Sequence, residues 1–243
     1  MAQNIYDDDG FFEEYSGLAR SVKGLDGAPE WPSLQALLPD MTGLSVVDLG
    51  CGFGWFCRWA ASAGAADVTG IDLSSNMLAR AARDTSDERI TYEQRDLDQL
   101  VLPAAGFDFA YSSLTLHYIT DLDRLIVTVR QSLRRGAGFV FSVEHPICTA
   151  PTHPGFVTDD AGAITWPVDG YLREGPRTTN WLAPGVVKQH RTITNYVQSL
   201  LGAGFTLTDL VEWGPSAEQI KEFPEWDVEL SRPFFLLVAA RVS

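Results

Sequence analysis

A chain of 243 residues with 45% hydrophobic content can bury one sizeable core, and its apolar runs break before the roughly 18 residues that a membrane-spanning helix needs. Thirty-two acids against eighteen basic residues leave a net charge of −14, which repels polyanions and gives no basic stripe for nucleic acid. Cys51, Cys57 and Cys148 lack CxxC spacing, which points away from disulfides and metal, and the acidic start MAQNIYDDDGFFEEY is unlike a secretory signal, so a cytoplasmic protein with reduced thiols is expected.

Short β-branched runs alternate with longer amphipathic stretches, the pattern of βα units around a mostly parallel sheet. Helices are predicted near Phe11–Arg20 and Ser33–Leu38, then a strand Ser45–Leu49, a glycine-rich turn Gly50–Gly54 and a helix from Trp55 to Ala63. A second strand, Asp67–Asp72, leads to a helix Asn76–Asp84 with Ser74 or Ser75 as its N-cap. Strands follow at Arg89–Arg95 and Phe107–Ser112, and a helix Asp121–Arg134 is expected to stop at Gly136 in a left-handed C-cap before a fifth strand, Gly138–Glu144. Residues 147–190, with prolines and glycines at short intervals and weak alternation, read as an irregular insertion or lid. A helix Thr192–Leu201 precedes strands Phe205–Trp213 and Pro233–Arg241, which can pair as an antiparallel hairpin.

The fold expected is therefore α/β: a Rossmann-like, seven-stranded, mostly parallel sheet with helices on both faces, an antiparallel last strand and a lid after strand five. One domain is expected over residues 1–243, divided into a helical cap (1–43), a cofactor-binding core (44–146), the lid (147–190) and a C-terminal helix with two strands (191–243).

The segment VVDLGCGFG places Gly50, Gly52 and Gly54 between a buried strand and a helix, where a tight turn and close approach to a ligand favour glycine. A nicotinamide site would want GxGxxG with pyrophosphate on the helix N-terminus, whereas the spacing here is GxGxG and Asp48 would repel that phosphate. A carboxylate at this place suits a ligand with ammonium and sulfonium groups, met directly or through water, and S-adenosylmethionine is such a ligand. Asp72, at the tip of strand two, can accept from both ribose hydroxyls; Asp96, past strand three, lies where an adenine amino group is expected, with the Leu97 N–H beside it and Met77 or Leu73 over the ring. Each acid alone also fits a strand end, a turn or a helix cap, but the ends of three successive strands converge on one edge of a doubly wound sheet.

These residues resemble the class I S-adenosylmethionine-dependent methyltransferases, in particular the small-molecule group called methyltransferase type 11. The resemblance runs from Ser45 to His145 through VVDLGCGFG, GIDLS, QRDL and FDFAYSSLTLHYI. It implies that Gly50, Cys51, Gly52 and Gly54 wrap the amino acid end of the cofactor, that Asp72 holds ribose, that Asp96 and Leu97 read adenine, and that Ser112 or its neighbours approach the methionine moiety.

Methyl transfer from a sulfonium is a direct displacement in which positioning supplies much of the catalysis, and a base is needed only if the acceptor still holds its proton. The acceptor atom, O, N or C, stays open. Enzymes that methylate DNA amines carry Asn or Asp before Pro-Pro and an aromatic after strand four; Ser112-Ser113-Leu114-Thr115 departs from this, in agreement with the charge. His145 and Glu144, where strand five leaves the sheet, are the candidates for contact with a small-molecule acceptor or for a base. His117 reads as a helix start or packing residue that can also touch substrate, and His190 either faces the pocket or anchors the lid. Trp166, Tyr171 and Trp181 could wall an apolar acceptor pocket, with Arg173 and Arg177 able to hold a carboxylate, or they could pack the lid. Tyr15 shares a helical face with Phe11 and is a further pocket candidate. The alternatives are a noncatalytic S-adenosylmethionine-binding regulator and a nicotinamide oxidoreductase.

Overall fold

The computed structural model describes residues 3–243. Helix α1 (Asp9–Ser16) starts where the Asp8 carboxylate accepts the Phe11 N–H. It ends at Gly17, and extended backbone at Leu18 separates it from α2 (Ala19–Lys23), so the single helix expected over Phe11–Arg20 is two. Helix α3 (Trp31–Gln35) begins earlier than the expected Ser33, because Pro32, lacking an N–H, suits a first turn.

The core follows in βα order, with no α-helix between its third and fourth strands: β1 (Ser45–Leu49), α4 (Trp55–Ser62), β2 (Asp67–Asp72), α5 (Ser75–Arg83), β3 (Ile90–Gln94), β4 (Phe107–Ser113), α6 (Leu122–Ser132) and β5 (Leu133–Glu144). Ser74 caps α5 and Asp121 caps α6, each side chain accepting a backbone N–H three residues on. Gly136 is not a C-cap as expected. Helix α6 passes straight into β5, and Gly136, at φ +79°, takes up the extra residues where the β4–β5 register jumps from Phe107–Leu133 to Phe109–Gly138.

The insertion is more ordered than its composition suggests. It holds a short helix, α7 (Pro146–Thr149), and two hairpins, β6 (Val157–Thr158) with β7 (Ile164–Thr165) and β8 (Gly175–Trp181) with β9 (Ala183–His190). Strand β9 does alternate, but its buried positions are Val186, Lys188 and His190; two of the three are polar, which conceals the period of two. Helix α8 (Ile193–Gly202), β10 (Phe205–Trp213), α9 (Ala217–Glu222) and β11 (Phe235–Val242) complete the chain.

The seven main strands run in the order β10-β11-β5-β4-β1-β2-β3, with β1 to β5 mutually parallel where they pair and β11 antiparallel to both neighbours. Strands buried on both faces read as near-continuous apolar runs, as in Val46, Val47 and Leu49 or Leu236 to Val238. One face is covered by Leu122, Leu125, Ile126 and Val129 of α6, the other by Phe56, Cys57, Ala60 and Ala61 of α4, with Phe56 stacked 3.7 Å from Tyr111. The chain leaves β1 toward β2 and β3 on one side and returns to β4 and β5 on the other, which opens a crevice beyond the strand ends between β1 and β4.

Residues 3–7 cross that crevice as a strap. Gln3 donates to the Gly185 carbonyl and accepts the Val187 N–H of the hairpin, while Asp7 accepts from the Ser74 hydroxyl and the Asn76 N–H at the start of α5. No helix among the described residues is long and apolar enough to cross a membrane.

Candidate functional site

A cavity of about 230 Å³ lies beyond the strand ends. On the side over β1 to β3, Asp72 projects into it. One carboxylate oxygen accepts the Gly52 N–H at 2.9 Å and the other the Ser74 N–H at 2.9 Å, so the acid is fixed while lone pairs stay free for a ligand. Burial raises its pKa against the lowering effect of those backbone hydrogen bonds. A Cβ on Gly52 would meet nothing within 4 Å, so this face of the loop opens to the cavity. Leu73, Met77 and Leu97 add apolar wall, and Asp96 lies beside them while also capping the turn Leu97–Gln99 through the Asp98 N–H. A carboxylate above an open glycine loop, flanked by apolar side chains and a second acid, fits a nucleoside with two vicinal hydroxyls.

Other expected cofactor residues sit differently. Asp48 is buried behind the loop, where burial lifts its pKa to about 7 and the Cys57 thiol donates to it. With Cys51 it lines an adjoining pocket of about 100 Å³. Gly54 faces the ring of Tyr92 instead of the cavity. Ser112 is fully buried and donates to the Leu49 carbonyl at 2.7 Å; its neighbour Ser113 is the one on the cavity wall. Arg20, which the sequence reading passed over, lines both pockets and makes a double hydrogen bond to buried Glu30 at 2.9 and 3.1 Å.

The other half of the cavity is walled by Tyr6, Tyr15, Tyr118 and Trp181, with Tyr6 edge-on to Tyr15 at 5.2 Å and its hydroxyl 3.4 Å from that of Tyr118. Glu144 and His117 supply its polar groups. Lys188, 4% exposed, donates to one Glu144 oxygen and sits 4.8 Å over the Trp181 ring. Burial would raise the Glu144 pKa, but the neighbouring His117 imidazole and the Lys188 and Arg232 cations outweigh it and hold the carboxyl below its ordinary value. His117 accepts the Glu144 N–H on Nδ1, which leaves its proton on Nε2.

Several expected acceptor residues lie elsewhere. His145 is buried outside the cavity: Nδ1 accepts the Ile147 N–H as the cap of α7, and Nε2 is 3.0 Å from Glu212. Both nitrogens of His190 are used, by the Thr149 hydroxyl and the Tyr171 carbonyl, so it anchors the lid. Trp166 donates to the Ile147 carbonyl and packs under Arg232, and the Tyr171 hydroxyl accepts from Ile193. Arg177 donates to the carbonyls of Ala150 and Arg173 and so staples the lid, and neither arginine lines the cavity. Among the described residues no group of three or more His, Cys, Asp or Glu is placed to hold a metal ion.

The buried imidazole gives a pH-dependent expectation. Burial pushes the His117 pKa from 6.5 to about 4, so the unfolded chain takes the proton first; the stability is complete above pH 6.5 and is lost as pH falls toward 4. Asp48 acts with opposite sign, since its raised pKa makes the folded state the proton binder below about 7. Urea unfolding of wild type and His117→Asn at pH 7 and pH 5 separates the two: wild type should lose about 2 kcal/mol more than the variant, at roughly 1.4 kcal/mol per pH unit. Equal losses would show that His117 is not held neutral.

Comparison with known proteins bears on the chemistry. A methyltransferase domain family matches residues 47–141. An S-adenosylmethionine-dependent methyltransferase from Mesorhizobium loti is 56% identical, with 90% of this chain and 100% of that chain covered and a TM-score of 0.87. One from Listeria monocytogenes is 40% identical, covering 89% and 99%, with a TM-score of 0.82. The malonyl-[acyl-carrier protein] O-methyltransferase of Pectobacterium atrosepticum is 36% identical, over only 45% of this chain and 42% of that enzyme. With near-full-length identity of this order, the chain belongs to the S-adenosylmethionine-dependent methyltransferases and uses S-adenosyl-L-methionine.

Proposed function

We propose that this enzyme methylates a small-molecule acceptor held in the half of the cavity above β4 and β5. The observation that carries the reading is the roof: the strap brings Tyr6 and the β8–β9 hairpin brings Trp181 over the cavity, where Tyr15 and Tyr118 complete an aromatic wall. Asp72, Gly52, Leu73, Met77, Asp96 and Leu97 then hold the nucleoside, and Arg20 faces the carboxylate of the amino acid end. The bound cofactor supplies an electrophilic methyl group on a cationic sulfur. The chain supplies position and exclusion of water: the aromatic wall fixes the acceptor, and Glu144 and His117 orient its polar end. The net charge of −14 and the three free cysteines fit a cytoplasmic enzyme, acting as one domain, whose acceptor is not nucleic acid.

The direct test is methyl transfer from labelled cofactor to a metabolite panel, with the product identified by mass. Deleting the whole lid would also remove Lys188, the partner of Glu144, so a point variant is the cleaner probe of the acceptor wall. Trp181→Ala should raise the acceptor KM by at least about tenfold, one lost aromatic contact being worth roughly 1.5–3 kcal/mol. Cofactor affinity should stay within a few fold. Lost cofactor binding with unchanged acceptor KM would move Trp181 to the other half of the site.

A further inference from the structure

Resting on that placement of the acceptor, we propose that the acceptor is an amine, its nitrogen directed at the Glu144 carboxylate and its carbon frame against Tyr6, Tyr118 and Trp181. Glu144 reaches the cavity from the end of β5 with Oε1 taken by Lys188, and among the described residues no group donates to Oε2. Among the described residues Arg20 is the one Lys or Arg on the cavity wall, paired with Glu30 and assigned above to the amino acid end of the cofactor; Lys188 is bound to Glu144, and Arg191 and Arg232 do not line the cavity. A carboxylate or thiolate acceptor would therefore face an anionic oxygen, with no Lys or Arg besides Arg20 among the described residues lining the cavity to meet it. A donor of N–H bonds meets both that oxygen and the faces of electron-rich rings.

The same geometry separates amines from alcohols and phenols. A hydroxyl must give up its proton during transfer, and the groups within reach are poor takers: His117 is held neutral with little proton affinity, and the Lys188 pairing keeps Glu144 ionised. A neutral amine needs no base. Its lone pair forms the N–CH₃ bond as the CH₃–S bond breaks, the bonding electrons stay on sulfur as a neutral thioether, and nitrogen becomes a methylammonium. The extra proton leaves to water after release. Positive charge thus passes from sulfur to a nitrogen facing Glu144, and the carboxylate favours the transition state more than the ground state.

The test uses the full chain, methyl-labelled S-adenosylmethionine and panels of small amines, alcohols and phenols, thiols, and carboxylates matched in carbon frame. Label should pass to amines at least tenfold faster than to any other panel. For amines of different basicity, kcat/KM should rise with pH through each amine's own pKa. Glu144→Gln should lower amine turnover at least tenfold with cofactor affinity within threefold by calorimetry. The double variant Glu144→Gln/Lys188→Met leaves no buried charge orphaned and should show the same loss while folded. Preference for carboxylates, thiols or hydroxyls, one enzyme-set pH limb common to all amines, or full amine turnover in the double variant would overturn the amine assignment. Absence of label from every panel, with cofactor bound, would overturn the small-molecule reading beneath it.

Discussion

Asp72→Ala should weaken S-adenosylmethionine binding by about two orders of magnitude or more. Hydrogen bonds to a charged acceptor are worth roughly 1.5–3 kcal/mol each, and the proposed role gives Asp72 two of them, at about tenfold per 1.4 kcal/mol. The truncation also frees the Gly52 and Ser74 N–H groups that the carboxylate now accepts, so the loop and the start of α5 lose a shared anchor. Asp72→Asn offers one acceptor oxygen in place of two, so its loss should fall between wild type and alanine. Calorimetry on folded variants measures both. An unchanged dissociation constant in Asp72→Ala would remove the residue from the site.

A second large effect is expected one turn earlier. Gly50 has φ +78°, and a Cβ there would come 2.1 Å from the Thr115 hydroxyl and 2.6 Å from the Thr115 Cβ. Gly50→Ala therefore combines left-handed strain of about 1–2 kcal/mol with overpacking of about 1–3 kcal/mol. Stability should fall by roughly 2–5 kcal/mol, with cofactor affinity falling as the loop shifts. A cycle with Thr115→Gly divides the two contributions: the alanine should cost less in that background, by the overpacking share, while the backbone strain persists. Denaturant unfolding of the four proteins measures it, and equal costs in both backgrounds would exclude the contact with Thr115.

Much of the sheet could be read in advance because β1, β2, β4 and the middle of β5 carry Val, Ile and Phe in runs buried on both faces, bounded by glycine turns. The β8–β9 hairpin escaped because its inward positions are Lys188 and His190, residues whose burial depends on partners far away in sequence: Glu144, Thr149 and Tyr171. The site was misjudged by single residues for a related reason. Successive side chains on a strand point to opposite faces, and position along the chain does not fix which face meets the cavity. Ser113 and Glu144 face it, whereas Ser112 and His145 turn away into the core and toward Glu212. Tyr6, Tyr118 and Arg20 reach the cavity from loops and the cap, where no periodicity marks them. Asp72 and Asp96 needed no such information, since the topology of a doubly wound sheet brings their strand ends to one edge, whereas Asp48 is buried behind the glycine loop.

The hairpin and the strap have one more consequence. Asp72, Leu73, Met77, Asp96 and Leu97, to which the proposal gives the nucleoside, belong to the βα core, whereas Tyr6, Tyr15 and Trp181 on the cavity wall come from segments outside it. Substitution in the strap or the hairpin can reshape the chamber without touching Asp72 or the glycine loop. Divergence of such enzymes toward new acceptors would then proceed by exchange of peripheral segments on an unchanged engine, and descendants would share their donor while differing in what they methylate.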